Sequence, residues 1–195
     1  MSNSPRLLLA SSSPRRLALL RQAHLSPVVL PVDVDESVRD GESPLDYVQR
    51  LALAKAHAGQ VRADDPQAWV LAADTTVVAG GEILGKPESL ADAQRIWALL
   101  PSADHCVHTA IAVMHGGHAE VEVVTTRVEF LAIPEADQVA YWDSDEPKDK
   151  AGAYAIQGYA ALYVKSIHGS YTNVVGLPLA ETVALLRRTG YPLWE

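Results

Sequence analysis

Hydrophobic and polar positions along the chain predict alternating strands and helices. Short apolar runs of strand type recur at residues 6–10, 28–32, 69–73 and 162–167. Two longer alternating runs, 105–114 and 119–131, flank His115-Gly116-Gly117 and predict a long antiparallel hairpin. A second hairpin is predicted where residues 75–79 and 82–84 flank Gly80-Gly81. The pattern predicts a mixed α/β chain of two lobes at most.

Serine and proline residues mark the predicted helix starts. A helix favours proline at its first position and a serine side chain just before it. Helices are therefore predicted to start near Pro14, Ser43, Ser89, Pro134 and Pro178. The second of these has apolar side chains at helical spacing up to about His57, and we predict that it ends at Gly59. Residues 146–158 are predicted to be rich in loops.

Composition and charge narrow the function classes. The 195 residues are 48% hydrophobic with a net charge of −8, so we expect a globular protein that does not coat nucleic acid. Residues 1–32 contain four arginines and no acid, which leaves −12 for the rest of the chain. No apolar run approaches the roughly 18 residues that a membrane span needs. The single cysteine, Cys106, excludes an internal disulfide and fits the cytoplasm.

The basic N-terminal segment allows one other interpretation, a transit or twin-arginine export peptide. Arg21 and His24 interrupt the apolar stretch that follows Arg15 and Arg16, and no small-residue cleavage site follows. The same stretch also fits a strand, a tight turn and a helix. We therefore expect this segment to be part of the folded protein.

The turn at residues 11–16 combines three serines with two arginines at a predicted helix start. A helix N-terminus presents unpaired backbone N–H groups and a partial positive charge, which together bind anions. The guanidinium groups of Arg15 and Arg16 add donors in the fork shape that phosphate prefers. The turn predicts an anion site, and the alternative is a well-capped helix with two surface arginines.

Two acidic positions follow apolar runs of strand type. Asp74 is predicted to end the strand over 69–73, where α/β proteins place ligand groups, and Glu36 lies in an acidic loop after the strand over 28–32. Proteins hold Mg²⁺ with carboxylates and retained waters, and substrate phosphates complete the coordination shell. These acids predict a divalent metal site, whereas the alternative for Asp74 is a turn-initiating aspartate.

Lysine and glutamine side chains complete the candidate chemistry. Lys86 stands in the rigid turn Gly85-Lys86-Pro87, after a hairpin that is predicted to bring it and Asp74 to one cleft. Gln157 lies in a predicted loop, and its amide both donates and accepts hydrogen bonds, as the reading of a base edge requires. For any single lysine or loop glutamine, plain solvent exposure is the alternative.

Six segments in a fixed order now point to one family. They are LLLASSSPRRLALL (7–20), DYVQRLALAKA (46–56), LAADTTVV (71–78), ILGKP (83–87), SDEPKDKAGAYAIQG (144–158) and GSYTNVVGLPLAET (169–182). With these segments, the sequence resembles the Maf family of nucleoside triphosphate pyrophosphatases over nearly its whole length. The segment at 144–158 resembles the branch that acts on dTTP and UTP.

The resemblance implies a fold and a set of roles. It implies a single domain over residues 1–195, with a mixed twisted central sheet, flanking helices, two lobes around a cleft, and dimer formation. Asp74 is implied to be the general base, and Asp74 with Glu36 to hold Mg²⁺ or Mn²⁺. The positions implied to bind the nucleoside triphosphate are Ser11, Ser13, Arg15, Arg16, Lys55, Thr75, Lys86 and Gln157. Of these, Arg15, Thr75 and Gln157 are implied to select the base.

The resemblance leaves alternatives open. The same chemistry could act on 7-methyl-GTP or another modified nucleotide. The protein could instead be a nucleotide-binding regulator of septum formation without turnover. The biology proposed for the family is the removal of non-standard nucleotides from the pool, and we expect that role in the cytoplasm without a membrane or nucleic-acid partner.

Overall fold

The computed structural model describes residues 6–194, which form seven strands and six α-helices. The strands are β1 (Leu7–Leu9), β2 (Val28–Val29), β3 (Trp69–Ala79), β4 (Glu82–Leu84), β5 (Cys106–His115), β6 (His118–Phe130) and β7 (Val164–His168). They lie in one sheet of order β2-β1-β3-β5-β6-β7, with β4 also paired to β3. β1 is parallel to β2 and β3, whereas β4 and β7 are antiparallel to β3 and β6. The predicted mixed α/β fold is confirmed.

Five of the six described helices begin where the sequence predicts. They are α1 (Pro14–Gln22), α2 (Pro44–Ala63), α3 (Leu90–Leu99), α4 (Glu135–Asp143), α5 (Tyr171–Val175) and α6 (Leu179–Arg188). The side chains of Ser13, Ser43 and Ser89 each accept a hydrogen bond from the backbone N–H three residues later. Short 3₁₀ turns occupy Glu146–Asp149, Ala151–Ala153 and Tyr159–Tyr163.

The predicted end of α2 at Gly59 is wrong, because the helix continues to Ala63. Gly59 lies inside the helix and is buried. A Cβ atom there would stand 2.7 Å from Val70 Cγ1 and 2.9 Å from Ala10 Cβ. The glycine therefore allows α2 to approach the sheet closely. The helix ends instead at Ala63, where the next residue, Asp64, has a left-handed backbone (φ 51°).

The predicted strand end at Asp74 is also wrong, because β3 continues through Asp74 to Ala79. The residues after it include the β-branched pairs Thr75-Thr76 and Val77-Val78, which favour extended backbone. What ends near Asp74 is the neighbouring strand, since β1 pairs with β3 only as far as Leu9 opposite Leu71. Asp74 thus lies three residues beyond the last β1 pair.

Two smaller differences concern short elements. β2 covers only Val28–Val29 of the predicted run 28–32, which continues into Pro31. β7 covers Val164–His168, two residues later at its start than the predicted run. The one-turn helix α5 was not predicted from the sequence. None of the three displaces a candidate site residue.

The chain divides into two compact units. The first comprises the described residues up to Asp74, Thr109–Val124 and the described residues from Gly176 onward, and its core packs α2 against the sheet with small side chains such as Ala52, Ala56 and Ala72. The second comprises Thr75–His108 and Thr125–Val175, with an aromatic core that includes Trp97 and Tyr141.

The single domain over 1–195 stays a prediction, and residues 1–5 and 195 lie outside the described residues. Within 6–194, no helix is long and apolar enough to cross a membrane.

Candidate active site

A lysine between two carboxylates forms the centre of the site in the first unit. Lys55 Nζ lies 2.7 Å from Asp74 Oδ1 and 2.6 Å from Glu36 Oε1. The Lys55 and Asp74 side chains are 12% and 9% exposed, whereas that of Glu36 is 59% exposed. The site thus has a buried charged pair with one solvent-facing acid beside it.

Three different elements supply these side chains. Asp74 comes from the interior of β3, Lys55 from the middle of α2, and Glu36 from the irregular segment between β2 and α2. The same face of α2 is buried through Val48 and Ala52, seven and three residues before Lys55, which fixes the helix on the sheet. The structure thus brings together Asp74, Glu36 and Lys55, three of the candidate residues from the sequence.

The serine turn lies between β1 and α1 and is tied together by Arg16. Ser11 is 8% exposed, and its Oγ accepts hydrogen bonds from Arg16 Nη1 at 3.1 Å and from the backbone N–H of Ser13 at 3.2 Å. Ser13 Oγ in turn accepts from the backbone N–H of Arg16 at the start of α1. Arg16 Nε donates to the carbonyl of Gly176 at 2.9 Å, a contact that was not predicted from the sequence.

The charges of the site influence one another. Burial raises the pKa of Asp74 above its usual value, although the Lys55 ammonium and the Arg16 guanidinium act in the opposite direction. Burial lowers the pKa of Arg16, and the Asp74 carboxylate opposes that change. Arginine stays protonated in proteins, so Arg16 remains cationic at neutral pH. A carboxyl group with a raised pKa beside fixed cations is suited to accept a proton.

The two predicted base-selecting residues nearest in sequence to these groups are half-buried. Arg15 precedes Arg16 in the first turn of α1, and its charge contributes to the lowered pKa of Arg16. Thr75 directly follows Asp74 in β3. Their predicted role in selecting the base stays a prediction.

Lys86 and Gln157 belong to the second unit. Lys86 is exposed in the turn between β4 and α3, as predicted, and Gln157 is exposed in the segment between two 3₁₀ turns. Their predicted joint action with Asp74 on one substrate stays a prediction.

The segment that presents Gln157 is anchored by Glu146, a residue that the sequence reasoning missed. Glu146 Oε1 accepts from the Tyr141 hydroxyl at 2.9 Å, and Oε2 accepts from the backbone N–H of Tyr159 at 2.8 Å. A Cβ atom at Gly158 would lie 1.8 Å from Oε2. Gly158 therefore leaves room for the carboxylate, and the available signal was the presence of acids in the same segment as the Ile-Gln-Gly sequence.

The donor set fits a metal ion such as Mg²⁺ or Mn²⁺ only in part. Within residues 6–194, no group of three or more His, Cys, Asp or Glu side chains could hold a metal. The oxygens of Asp74 and Glu36 that approach the same Lys55 ammonium give two carboxylates. One or two carboxylates with waters and substrate phosphates are how proteins usually hold Mg²⁺, so the pair fits a cation that shares the phosphates of a substrate.

Comparison with a known structure shows the fold class. A HAM1 protein from Coxiella burnetii superposes with a TM-score of 0.54, at 17% identity, over 94% of this chain and 99% of that chain. The fold and the site together define an α/β protein of HAM1-like fold with a buried aspartate–lysine pair. The two chains are too different in sequence for more than the fold to be compared.

Comparison of sequences then shows the family. Residues 6–189 match the family described as Maf-like protein, and the chain belongs to this Maf family. It is 50% identical to a dTTP/UTP pyrophosphatase from Anaeromyxobacter dehalogenans, over 98% of each chain. It is also 50% identical to a dTTP/UTP pyrophosphatase from Myxococcus xanthus, over 96% of this chain and 94% of the relative. A third dTTP/UTP pyrophosphatase, from Hahella chejuensis, is 46% identical over 97% and 95%. The predicted family is confirmed.

Proposed function

We propose that the protein hydrolyses dTTP and UTP between the α- and β-phosphates, giving the nucleoside monophosphate and pyrophosphate. The observation that carries this proposal is the buried Asp74 carboxylate held by Lys55 at 2.7 Å, in a chain similar over nearly its full length to dTTP/UTP pyrophosphatases. These relatives support both the pyrophosphatase activity and the two substrates.

In this proposal the site residues of the first unit have different roles. Asp74 accepts the proton of the attacking water while the water oxygen bonds to phosphorus and the phosphoanhydride bond breaks. Lys55 and Arg16 neutralise charge on the phosphates, and the backbone N–H groups of the Ser11–Ser13 turn at the start of α1 add donors to phosphate oxygens. Such positioning and charge stabilisation make up most of what phosphoryl transfer requires.

A divalent cation, Mg²⁺ or Mn²⁺, held by Asp74 and Glu36 would neutralise further charge on the phosphates when bound. The two carboxylates, Lys55 and Arg16 carry four formal charges that cancel. A substrate with several negative charges therefore needs additional cations, which the metal and Lys86 would supply.

Selection of the pyrimidine base belongs to Arg15, Thr75 and Gln157 in this proposal. Gln157 is exposed, and the residues that follow it are anchored by the hydrogen bond from the backbone N–H of Tyr159 to Glu146, so its amide can be presented in one orientation. An amide that both donates and accepts can distinguish base edges that differ in their donors and acceptors.

We also propose that the protein acts in the cytoplasm as a homodimer that clears unwanted nucleotides. The single Cys106 fits a reducing compartment. Size-exclusion chromatography with light scattering measures the oligomeric state, and a mass of one chain would contradict the dimer.

The test of the activity is a nucleotide panel. The purified protein is incubated with Mg²⁺ or Mn²⁺ and with dTTP, UTP, CTP, ATP, GTP or 7-methyl-GTP, and the products are separated. We expect dTMP and UMP with pyrophosphate. Nucleoside diphosphate with inorganic phosphate would contradict the chemistry, a preference for 7-methyl-GTP would change the substrate, and binding without any product would favour the regulator.

A further inference from the structure

The solvent-facing acid of the site stands on a segment without regular structure. Glu36 lies between β2 and α2, in residues 30–43, where no helix or strand forms. Its side chain is 59% exposed, so packing around the carboxylate does little to fix it. Ordering such a segment costs conformational entropy at every residue, and contacts elsewhere must offset that cost.

Two side chains of α2 hold the backbone at this acid. The Tyr47 hydroxyl donates to the carbonyl of Glu36 at 2.9 Å, and Arg50 Nη2 donates to the carbonyl of Ser37, also at 2.9 Å. Two successive carbonyls are thus bound from one helix. The guanidinium of Arg50 also lies over the Tyr47 ring, 5.5 Å from its centroid, so the two side chains support each other.

Arg50 also fixes the far end of the same segment. Its Nε and Nη2 donate to Glu42 Oε1 and Oε2 at 2.5 and 2.7 Å, a two-point contact between side chains that are 19% and 9% exposed. The Arg50 hydrogen bonds lower the pKa of Glu42 to about 2, so this carboxylate is ionised throughout the working pH range. Glu42 Oε2 additionally accepts from the backbone N–H of Arg39 at 3.1 Å.

The same helix holds the Glu36 side chain, because Lys55 Nζ of α2 lies 2.6 Å from Glu36 Oε1. Backbone and carboxylate of Glu36 are therefore both fixed to one rigid element. Burial and the negative charges of Asp74 and Glu36 raise the pKa of Tyr47, which keeps its hydroxyl protonated and able to donate.

We propose that Tyr47 and Arg50 are positioning residues that set the place of the Glu36 carboxylate in the active site. They touch no reacting atom and act through Glu36, so the inference rests on the proposed function in which Glu36 handles the metal–nucleotide complex. Neither residue was a candidate from the sequence, although both lie with Lys55 in the segment DYVQRLALAKA.

A mutant cycle tests this role. Tyr47→Phe removes one hydroxyl, and we expect it to lower kcat/KM for dTTP about tenfold and to raise the Mg²⁺ concentration that gives half-maximal rate. In a Glu36→Gln background the same change should lower kcat/KM less than twofold, because its effect passes through Glu36. An equal fall in both backgrounds would overturn the inference.

A matched control and a second variant complete the cycle. Tyr163→Phe likewise removes one tyrosine hydroxyl, which here donates to Asp137 Oδ2 at 2.8 Å, and it should leave the Mg²⁺ dependence unchanged. Arg50→Lys keeps the charge but loses the two-point contact, so it should reproduce the effect of Tyr47→Phe. A normal Mg²⁺ dependence in Arg50→Lys would remove Arg50 from the proposal.

Hydrogen exchange separates this inference from the proposed function. Amide exchange in residues 33–42, measured by mass spectrometry, should be at least tenfold faster in Tyr47→Phe than in the unmodified protein. Unchanged exchange would overturn the inference whatever the activity. A protein that hydrolyses no nucleotide, with exchange still accelerated in the variant, would contradict the proposed function and retain the role of Tyr47 in ordering Glu36.

Discussion

The charged centre of the first unit and the Gln157 segment of the second are built on different principles. Around Asp74 and Lys55, opposite charges contact one another directly and little of either side chain is exposed. Around Gln157, one acid, Glu146, accepts hydrogen bonds from a hydroxyl and from backbone N–H groups, and Gly158 leaves space for it. In the first region opposite charges balance one another, whereas in the second region hydrogen bonds hold the backbone in one conformation.

The difference separates two tasks that a nucleotide hydrolase must perform. Charge near a phosphate stabilises the transition state whatever base the nucleotide carries. A fixed loop that presents one amide selects among bases without altering the chemistry. Changes in the first region should therefore alter the rate for all substrates, and changes in the second should alter their ranking.

The largest effect is expected at Asp74. Asp74→Asn keeps the size of the side chain and removes the proton acceptor, so we expect the hydrolysis of dTTP and UTP to fall together by about 10²–10⁴-fold. Product analysis measures the rates, and circular dichroism should show an unchanged fold. Asp143→Asn, an exposed acid at the end of α4, is the control that should retain activity. Full activity in Asp74→Asn would remove Asp74 as the base.

Gly158 tests the fixed shape of the second region. In Gly158→Ala, the new Cβ would displace the Glu146 carboxylate from Tyr141, Tyr159 and Ala160, and we expect the free energy of unfolding to fall by about 1–3 kcal/mol. Urea denaturation measures this change. Gly85→Ala, where a Cβ meets no atom within 4 Å, should stay within about 0.5 kcal/mol of the unmodified protein. Equal stability of both variants would show that the segment rearranges to accommodate the added methyl group at position 158.

Gln157 tests selection alone. Gln157→Ala should reduce the preference for dTTP and UTP over CTP about tenfold through changes in kcat/KM, because one pair of hydrogen bonds to the base is lost. Gln49→Ala, an exposed glutamine on α2, should keep the preference. A uniform fall for all nucleotides would place Gln157 with the charged centre and remove the contrast between the two regions.

The smallest effect concerns His105, which is buried in the second unit. Its ring nitrogens lie 3.0 Å from the Leu100 carbonyl and 3.1 Å from the Tyr154 hydroxyl, and burial lowers its pKa from 6.5 to about 4. As the pH falls through 6.5, the unfolded chain binds a proton at this histidine that the folded protein does not bind. The contribution of His105 to the free energy of unfolding is therefore complete above pH 6.5 and is lost as the pH drops toward 4.

This loss makes the free energy of unfolding depend measurably on pH. Between pH 7.5 and 5.5, the free energy of unfolding of the unmodified protein should fall by about 1 kcal/mol more than that of His105→Asn. Urea denaturation at the two pH values measures the difference, and comparing slopes cancels any loss of packing in the variant. Parallel slopes would show that His105 does not titrate between the folded and unfolded states as described.

The sequence by itself determined the features that depend on neighbours along the chain. The helix starts at Ser13, Ser43 and Ser89 were predicted because a cap involves a side chain and an N–H three residues later. The hairpin turn at Gly116-Gly117 was predicted because both residues must adopt positive φ, which glycine tolerates. The chemical types in the site were visible as well, since unusual residues stand out against an apolar strand.

Only the tertiary structure decided where distant residues meet. α2 passes Gly59 because the glycine fits against Val70, and β3 passes Asp74 because a strand is defined by its partners in the sheet. Lys55 meets Asp74 across 19 positions of sequence, and Arg16 meets the carbonyl of Gly176 across 160. Caps and turns are local and can be predicted from a few residues, whereas these contacts depend on the packing of the whole unit, which no short segment encodes.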